Sequence, residues 1–465
     1  MQLSISEVKL SELNLANRID AEHYQPYFLD IVKLVKSKKN KKLSELVSKK
    51  ITTGHTPSMK EESYYGGDVK FIKTDNLREN QIIENFNHYL SDKGAKKLNN
   101  SSLKKDDIIV TIIGATFEVV GRVARIFSDL GKASINQNIA LIRPTIASGY
   151  LASFLMSKYG KQQFYYLSRQ TEQVNLNNVE VGDILVPLPS DNFIDKIHLL
   201  HNETHNLITH SKKFYEDAEN ILLEELGLNK YKPNINGIST RTLLDCLKDN
   251  RFDAEYWQPE YDEIIKIINN YKFGVSVINN EFSHIKNNFK PIEKQEYQYI
   301  EIGDVNVFTG ELNSNKIFAE DLPANAKIMF NKRQLITSKV RPNRGATAIL
   351  DNHYGYIGSG AFVVLEEKKN INLETLMVYL KLKPIKELLL RYNTGTSYPT
   401  ITDNDILKFP IPFVDKKIQK KISELVNMSA KEREKAKLLL EKVKVAIEIF
   451  IEQDEKEALK NIKVT

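Results

Sequence analysis

The chain has a single cysteine, a single tryptophan and no long apolar run. One thiol, Cys246, excludes an intramolecular disulfide framework and a cysteine-rich zinc site, as expected in a reducing compartment, and it reads as a packing residue. No apolar stretch approaches the ~18 residues of a membrane span. The opening "MQLSISEVKLSEL" places Glu7 where a signal peptide needs an apolar core, so a cytoplasmic protein with no membrane partner is expected. Catalytic signatures are missing too: there is no G-x-x-x-x-G-K-[ST] phosphate loop, no H-E-x-x-H, no G-x-S-x-G and no strand-following G-x-G-x-x-G. Nor is there the Asn-Pro-Pro-aromatic strip with which amino-methyltransferases hold the amine of a flipped base. The glycines of "IIGATFEVVGRV" stand too far apart for a phosphate cradle, and no lysine follows the second, so the stretch reads as a turn.

What is present describes a folded, mildly basic protein. At 465 residues the chain is long enough for roughly three structural units. A hydrophobic fraction of 41% and a charged fraction of 27% suit globular domains. The net charge of +6 and pI near 8.8 favour a polyanionic partner without requiring one.

The dominant feature is an internal repeat. "RIDAEHYQPY" from Arg18 and "RFDAEYWQPE" from Arg251 agree at six of ten positions, 233 residues apart. "FIKTDNL" from Phe71 then echoes "YIEIGDV" from Tyr299 at 228, and "KKDDIIVT" echoes "NKRQLITS" near 226. Asp183 of "VGDILVPLP" pairs with Asp405 of "DNDILKFPIP" at 222. Offsets that fall steadily describe two copies of one fold, the second with shorter loops.

Each copy reads as α+β. Short β-branched runs such as "DIIVTIIG", "NQNIALIRP", "RQLITSKV" and "GAFVVLEE" alternate with turn residues, and "SGYLASFLMSKYGKQQFYY" and "ETLMVYLKLKPIKELLLRY" carry helical spacing. After each Pro-bounded exit comes a long helix with a 4-3 apolar register. The first seam is Phe193, Ile197, Leu200, Thr204, Leu207, Ser211, Phe214, Ala218 and Ile221; the second includes Ile418, Ile422, Leu425, Ser429, Glu432, Ala436, Leu439, Val443, Ala446 and Phe450. Polar layers at Thr204, Ser211, Ser429 and Glu432 would weaken a parallel homodimer, which favours antiparallel pairing of the two helices within one chain. A rod of about 36 residues spans roughly 54 Å. The expected architecture is a tandem duplication with pseudo-two-fold symmetry: a first strand-rich domain at 1–190, a helix at 191–228, a second strand-rich domain at 229–412 and a helix at 413–460.

Candidate contact chemistry sits in polar loops. Arg and Lys suit phosphate or guanine, Asn and Gln suit adenine, and hydroxyls suit either. The first copy offers Thr53, His55, Thr56, Ser58, Lys73, Thr74, Asn76, Arg78, Arg122, Asn136, Gln137 and Asn138. The second offers Lys339, Arg341, Asn343, Arg344, Thr396, Ser397 and Tyr398. The run Lys36 to Lys42 reads as a solvated face. His198, His201, His205 and His210 fall on the first long helix; His201 and His205 have metal-ligand spacing, but with no acidic or cysteine partner nearby they read as a solvated helix face.

The doubled order of "RIDAEHYQP"/"RFDAEYWQP", "GHTPSMKEESYYGGDVKFIKTDNL"/"YIEIGDV", "SINQNIALIRP" and the exits "VGDILVPLP"/"GTSYPTITDNDILKFPIP" resembles the DNA-specificity subunit of type I restriction-modification systems, over nearly the whole chain. The resemblance implies two target-recognition domains, each reading half of a split double-stranded DNA site, with the helices as spacers. It implies no catalysis and no cofactor in this chain: S-adenosylmethionine would be bound by two separate methyltransferase subunits, and translocation and cleavage would belong to restriction subunits. The two copies differ between their shared phrases, so an asymmetric target is expected. Two other readings stand beside this one: a restriction or modification enzyme with its own nuclease chemistry, and a coiled-coil scaffold without a DNA role.

Overall fold

The computed structural model describes residues 7–8, 23–83, 86, 88–98, 101–170, 174–233, 238–351, 353–395 and 398–463. Arg18 to Glu22, the first part of the duplicated phrase, therefore lie outside the described residues. The chain forms two compact units, Met1–Ile208 with Glu434–Thr465, and Thr209–Arg433.

In the first unit, α1 (Pro26–Lys36) starts on a proline, whose missing N–H costs nothing in a first helical turn. The chain then forms β1 (Asn40–Lys42), β2 (Thr52–Thr53), β3 (Tyr65–Ile72), β4 (Tyr89–Leu90), β5 (Ile108–Thr111), β6 (Val123–Arg125), β7 (Ala133–Ile135) and β8 (Ile139–Ile142). Helices α2 (Ser148–Met156) and α3 (Lys158–Leu167) follow, and β9 (Leu185–Pro187) leads into α4 (Asp191–Glu225). One sheet has the order β2-β8-β5-β6, a second β7-β3-β4, and β1 pairs with β9 so that entry and exit close on each other. Every residue of α2 is buried, so it reads apolar on all sides, as a core helix must.

The second unit repeats this plan. After α5 (Leu243–Asp249), α6 (Pro259–Asn269) again starts on proline. Strands β10 (Val275–Val277), β11 (Phe282–Ile285), β12 (Glu296–Ile300), β13 (Asn315–Phe318), β14 (Ala326–Met329), β15 (Gln334–Ser338), β16 (Thr347–Leu350), β17 (Ile357–Ser359) and β18 (Phe362–Glu367) precede α7 (Leu373–Lys381) and α8 (Lys383–Leu389). Strand β19 (Pro410–Pro412) then enters α9 (Lys416–Glu452). The sheets run β11-β18-β15-β16 and β13-β12-β17-β14, and β10 pairs with β19. Both units carry one parallel pair: Phe71 lies beside Ser134 in the first, and Tyr299 beside Ile357 in the second. Since parallel neighbours need a long crossover, the same pair in both copies is a specific mark of duplication.

Each unit contains half of each long helix. In the first, Phe193 and Phe450 meet with ring centroids 5.7 Å apart, and Ile197, Val443 and Ala446 join the core formed by Ile31, Val35 and Tyr150. In the second, Tyr215, Ala218, Leu222, Ile422 and Val426 join Tyr261, Ile264 and Leu376. In both units a starting half of one helix packs with an ending half of the other, the antiparallel sense expected from the sequence. The seam itself drifts. Leu200, Leu207, Phe214, Ile221, Ile418, Leu425 and Leu439 are only half-buried, while Tyr215, Leu222 and Val426 are buried in place of their expected neighbours. An α-helix rotates about 20° per heptad against a strict 3.5 repeat, and the core of each unit selects the face that its own helix halves bury.

The polar layer of the second unit is satisfied internally. Ser211 Oγ donates to the Ser429 carbonyl and Ser429 Oγ to the Ser211 carbonyl, each at 2.8 Å. Arg433 Nη1 donates to both hydroxyl oxygens, at 3.0 and 2.7 Å. Small side chains let the backbones approach, and the guanidinium uses the lone pairs the serines leave. Ser429→Leu should overpack this crossing and cost about 1–3 kcal/mol, read as a lower urea midpoint with the far-ultraviolet signal of the folded state retained.

The second copy of the duplicated phrase forms a clasp. Arg251 pairs with Asp253 at 2.6 Å, Trp257 Nε1 donates to the Arg251 carbonyl at 3.0 Å, and the Arg391 guanidinium lies 4.4 Å from the Tyr256 ring centroid and 5.4 Å from that of Trp257. In the first copy His23 stacks on Tyr166 at 4.0 Å. In both copies the described part of the phrase fastens the segment before the Pro-started helix to the helical layer of the same unit. Cys246 is not a packing residue: it is half-exposed on α5, a helix with no buried residue, held by the capping of Thr242 and by its polar ends.

Candidate nucleic-acid interface

In the first unit the parallel pair β3 and β7 ends side by side, which brings three candidate segments together. The turn after β3 carries Lys73, Thr74 and Asn76, and the loop after β7 carries Asn136, Gln137 and Asn138; the Asn136 amide donates to the Ile72 carbonyl at 3.1 Å. Gly54 brings the third segment in, its N–H donating to the Asn136 carbonyl at 3.2 Å. A Cβ there would fall 1.7 Å from the Ile135 carbonyl oxygen, so only glycine permits the approach. Thr53 and Thr56 are half-buried, His55 and Ser58 exposed, and the Thr56 hydroxyl donates to the Gln137 side chain. Arg78 and Arg122 lie beside this group: Arg122 donates to the Glu118 carbonyl at 2.9 Å and reaches toward the Leu77 carbonyl, and Arg78 caps the Asp75 and Leu77 carbonyls. Burial and, secondarily, the charge of Arg78 lower the pKa of Arg122, and burial lowers that of Lys73. These cations are held partly desolvated, a state that an incoming anion relieves.

Two of the candidates face inward. Asn76 and Asn136 are each 6% exposed. Asn76 accepts from the Lys73 N–H at 3.0 Å and donates to the Ile83 carbonyl at 3.1 Å, and Asn136 accepts from the Asn138 N–H at 3.2 Å. They shape the loops that present Lys73, Thr74, Gln137 and Asn138.

In the second unit the basic candidates occupy a different position, the loop after β15. Arg341 takes a left-handed conformation, φ 49°, and its N–H donates to the Pro399 carbonyl at 2.7 Å. Its guanidinium stands 5.3 Å from the Tyr398 ring centroid. Arg341, Asn343, Arg344 and Tyr398 are exposed, whereas Lys339 is bound to Asp403 at 2.7 Å. Thr396 and Ser397 lie outside the described residues.

The equivalent places in the two units differ in charge. Where the first has Lys73 and Asn76 after β3, the second has Glu301 and Asp304 after β12, with Asp304 accepting from the Glu301 N–H at 2.8 Å in the same capping turn. Burial raises the pKa of Asp304. Where the second has Arg341 and Arg344 in the loop after β15, the loop after β5 in the first has Glu118 and Arg122. Sequence reasoning missed Lys386, half-buried beneath the basic loop, because only the folded chain sets α8 beside Gly345.

Of the four histidines expected on a solvated face only His210 is exposed; His198 and His205 are half-buried and His201 is interior. His201 is fully buried, accepting or donating through Nδ1 to Ser153 Oγ at 2.8 Å, and the Phe127 ring stacks on His205 at 3.9 Å and on His201 at 5.3 Å. Arg125 covers Phe127 at 4.8 Å. A ring inserted from the strand region makes this stretch of α4 interior, which i, i+4 spacing could not reveal. Among the described residues no group of three potential metal ligands occurs. The run Lys36 to Lys42 is largely solvated, although Lys42 bridges to Asp183 at 2.7 Å.

Comparison with known proteins matches residues 36–199 and 275–439 to the family described as the type I restriction modification DNA specificity domain. The type I restriction enzyme HindI specificity subunit of Haemophilus influenzae is 27% identical over 129 residues, a segment covering 25% of this chain and 28% of that subunit's length. The fold is similar to the type I restriction-modification S subunit from M. genitalium, with TM-score 0.34 and 12% identity over 91% of this chain and 95% of that one. The HsdS subunit from Thermoanaerobacter tengcongensis follows with TM-score 0.28 and 14% identity, over 87% and 96%.

Two outcomes are expected from this geometry. Asn76→Ala leaves buried partners unpaired, so it should lower the unfolding midpoint by the equivalent of about 1–3 kcal/mol and should not redirect base preference at one position. Burial, with Arg125 adding repulsion, pushes the His201 pKa down to about 3. The unfolded chain, titrating near ~6.5, then takes up the proton first, so stability falls as pH drops below ~6.5, by up to about 1.4 kcal/mol per unit. Urea midpoints at several pH values should show that slope flattened in His201→Gln, which keeps a hydrogen-bonding group for Ser153.

Proposed function

Since the chain belongs to the type I restriction modification DNA specificity domain family, with both halves matched, we propose that it is the non-catalytic DNA-recognition subunit of such a system. Each unit reads one half of a bipartite duplex site, and α4 and α9 set the distance between the halves and dock the modification subunits. Methyl transfer, with S-adenosylmethionine as donor, belongs to two partner methyltransferase subunits; restriction subunits add translocation and cleavage where they are present. The complex works in the cytoplasm, and among the described residues no helix is long and apolar enough to cross a membrane.

The observation that carries this reading is the family match to both copies, at 36–199 and 275–439. The charge contrast at equivalent loops supports an asymmetric target: a cation-bearing turn in one copy stands where the other has carboxylates, and two such surfaces do not select the same bases. Selection from a randomised duplex library at fixed salt tests it. Two unlike half-sites at a fixed separation are expected, and a perfect palindrome, or no sequence preference, would overturn the reading.

Replacing Arg341 or Arg344 by alanine should weaken one half-site by about 1–3 kcal/mol if the guanidinium reads a guanine. The measurement is competition between cognate and single-substituted duplexes. Insertion of one heptad into α4 should change the separation between half-sites recovered from the library. An unchanged separation removes the helices from that role.

A further inference from the structure

The basic loop of the second unit rests on two lysines from the helical layer. Gly345 closes the loop in a left-handed conformation, φ 76°, and a Cβ there would lie 2.9 Å from Lys386 Cδ and 3.7 Å from Lys381 Cγ. Lys381 is 3% exposed; its amine stands 4.9 Å from the Tyr215 ring centroid and has no hydrogen-bond partner. Glu219 lies within electrostatic range of both lysines, and burial raises its pKa. Among the described residues neither amine is paired with a carboxylate in an ion pair.

The positive charge beneath a loop bearing Arg341 and Arg344 is thus that of Lys386, because burial pushes the Lys381 pKa down to about 7 and toward its neutral form. Packing like charges together opposes folding unless an anion repays it. Lys381 is enclosed and cannot reach a ligand. Lys386 is half-buried, its aliphatic stem held against Gly345 and its amine 3.8 Å from the position of that Cβ, next to the exposed Arg344. A lysine is a point charge on a flexible stem, suited to a phosphate oxygen, whereas the planar arginine fork suits a base edge.

We infer that Lys386 is a phosphate contact that seats the duplex backbone beside the base-reading loop, so that Arg341 and Arg344 are presented to the groove in a fixed register. This rests on the DNA-recognition reading and adds a positioning residue to it. Backbone contacts orient a reader without carrying sequence information.

The test is duplex binding by the full chain between about 50 and 200 mM salt, followed by fluorescence anisotropy, for the wild type, Lys386→Gln and Lys386→Arg. One lost phosphate contact should reduce the slope of log K against log salt by about 1. Lys386→Gln is expected to show that reduction, with equal weakening on cognate and unrelated duplexes, and Lys386→Arg to restore both. An unchanged slope, weakening confined to one base-pair position, or failure of Lys386→Arg to rescue would overturn the assignment while leaving the recognition reading intact. Absence of any duplex binding by the wild type would remove the recognition reading itself.

Discussion

Core completion by the long helices is the constraint on which the rest depends. Neither strand-rich body encloses its apolar surface alone: the first needs Phe193, Ile197, Val443 and Ala446, and the second Tyr215, Leu222, Ile422 and Val426. These side chains are inserted from halves of α4 and α9, so the helices are structural members of the recognition bodies as well as connections. Burial of a single such side chain is worth about 1.5–3 kcal/mol, large beside the marginal net stability of a domain. At the crossing in the second unit, the Ser211, Ser429 and Arg433 layer replaces apolar packing by a closed set of hydrogen bonds. A slip of register there would strand buried hydroxyls, so the layer specifies alignment where leucines would tolerate several.

The repeated strand order, with one parallel pair in each unit, gives both copies the same scaffold and leaves chemistry to the loops. Presenting Lys73 and Thr74 in one copy and Glu301 and Asp304 in the other, on the same capping turn, shows how a duplicated fold diversifies. Asn76 and Asp304 hold equivalent turns through the same backbone bond. Conservation of shape and divergence of charge occur within four residues of each other.

Much of this was legible in the sequence. The duplicated phrases, the drop in offset, the long helices and the α+β character follow from periodicity and self-similarity, which are local properties. What was not legible depends on contacts between distant residues. Phe214 and Ile221 lost the seam to Tyr215 and Leu222 because the strand-rich core selects the buried face. His201 became interior and His205 half-buried under the Phe127 ring, and Asn136 turned inward to serve Asn138. Lys386 joined the candidate surface only through its packing on Gly345. Polar residue type identified the loops; it could not say which side chains within them point out.

The composition of the first unit bears on synthesis. Its residues come from Met1–Ile208 and from Glu434–Thr465, while the second is the unbroken stretch Thr209–Arg433. A nascent chain leaving the ribosome holds every residue of the second unit before the first has its last helix half. N-terminal domains usually mature first during synthesis, but here the core around Phe193 and Ile197 cannot be completed until Val443, Ala446 and Phe450 of the segment Glu434–Thr465 have been made.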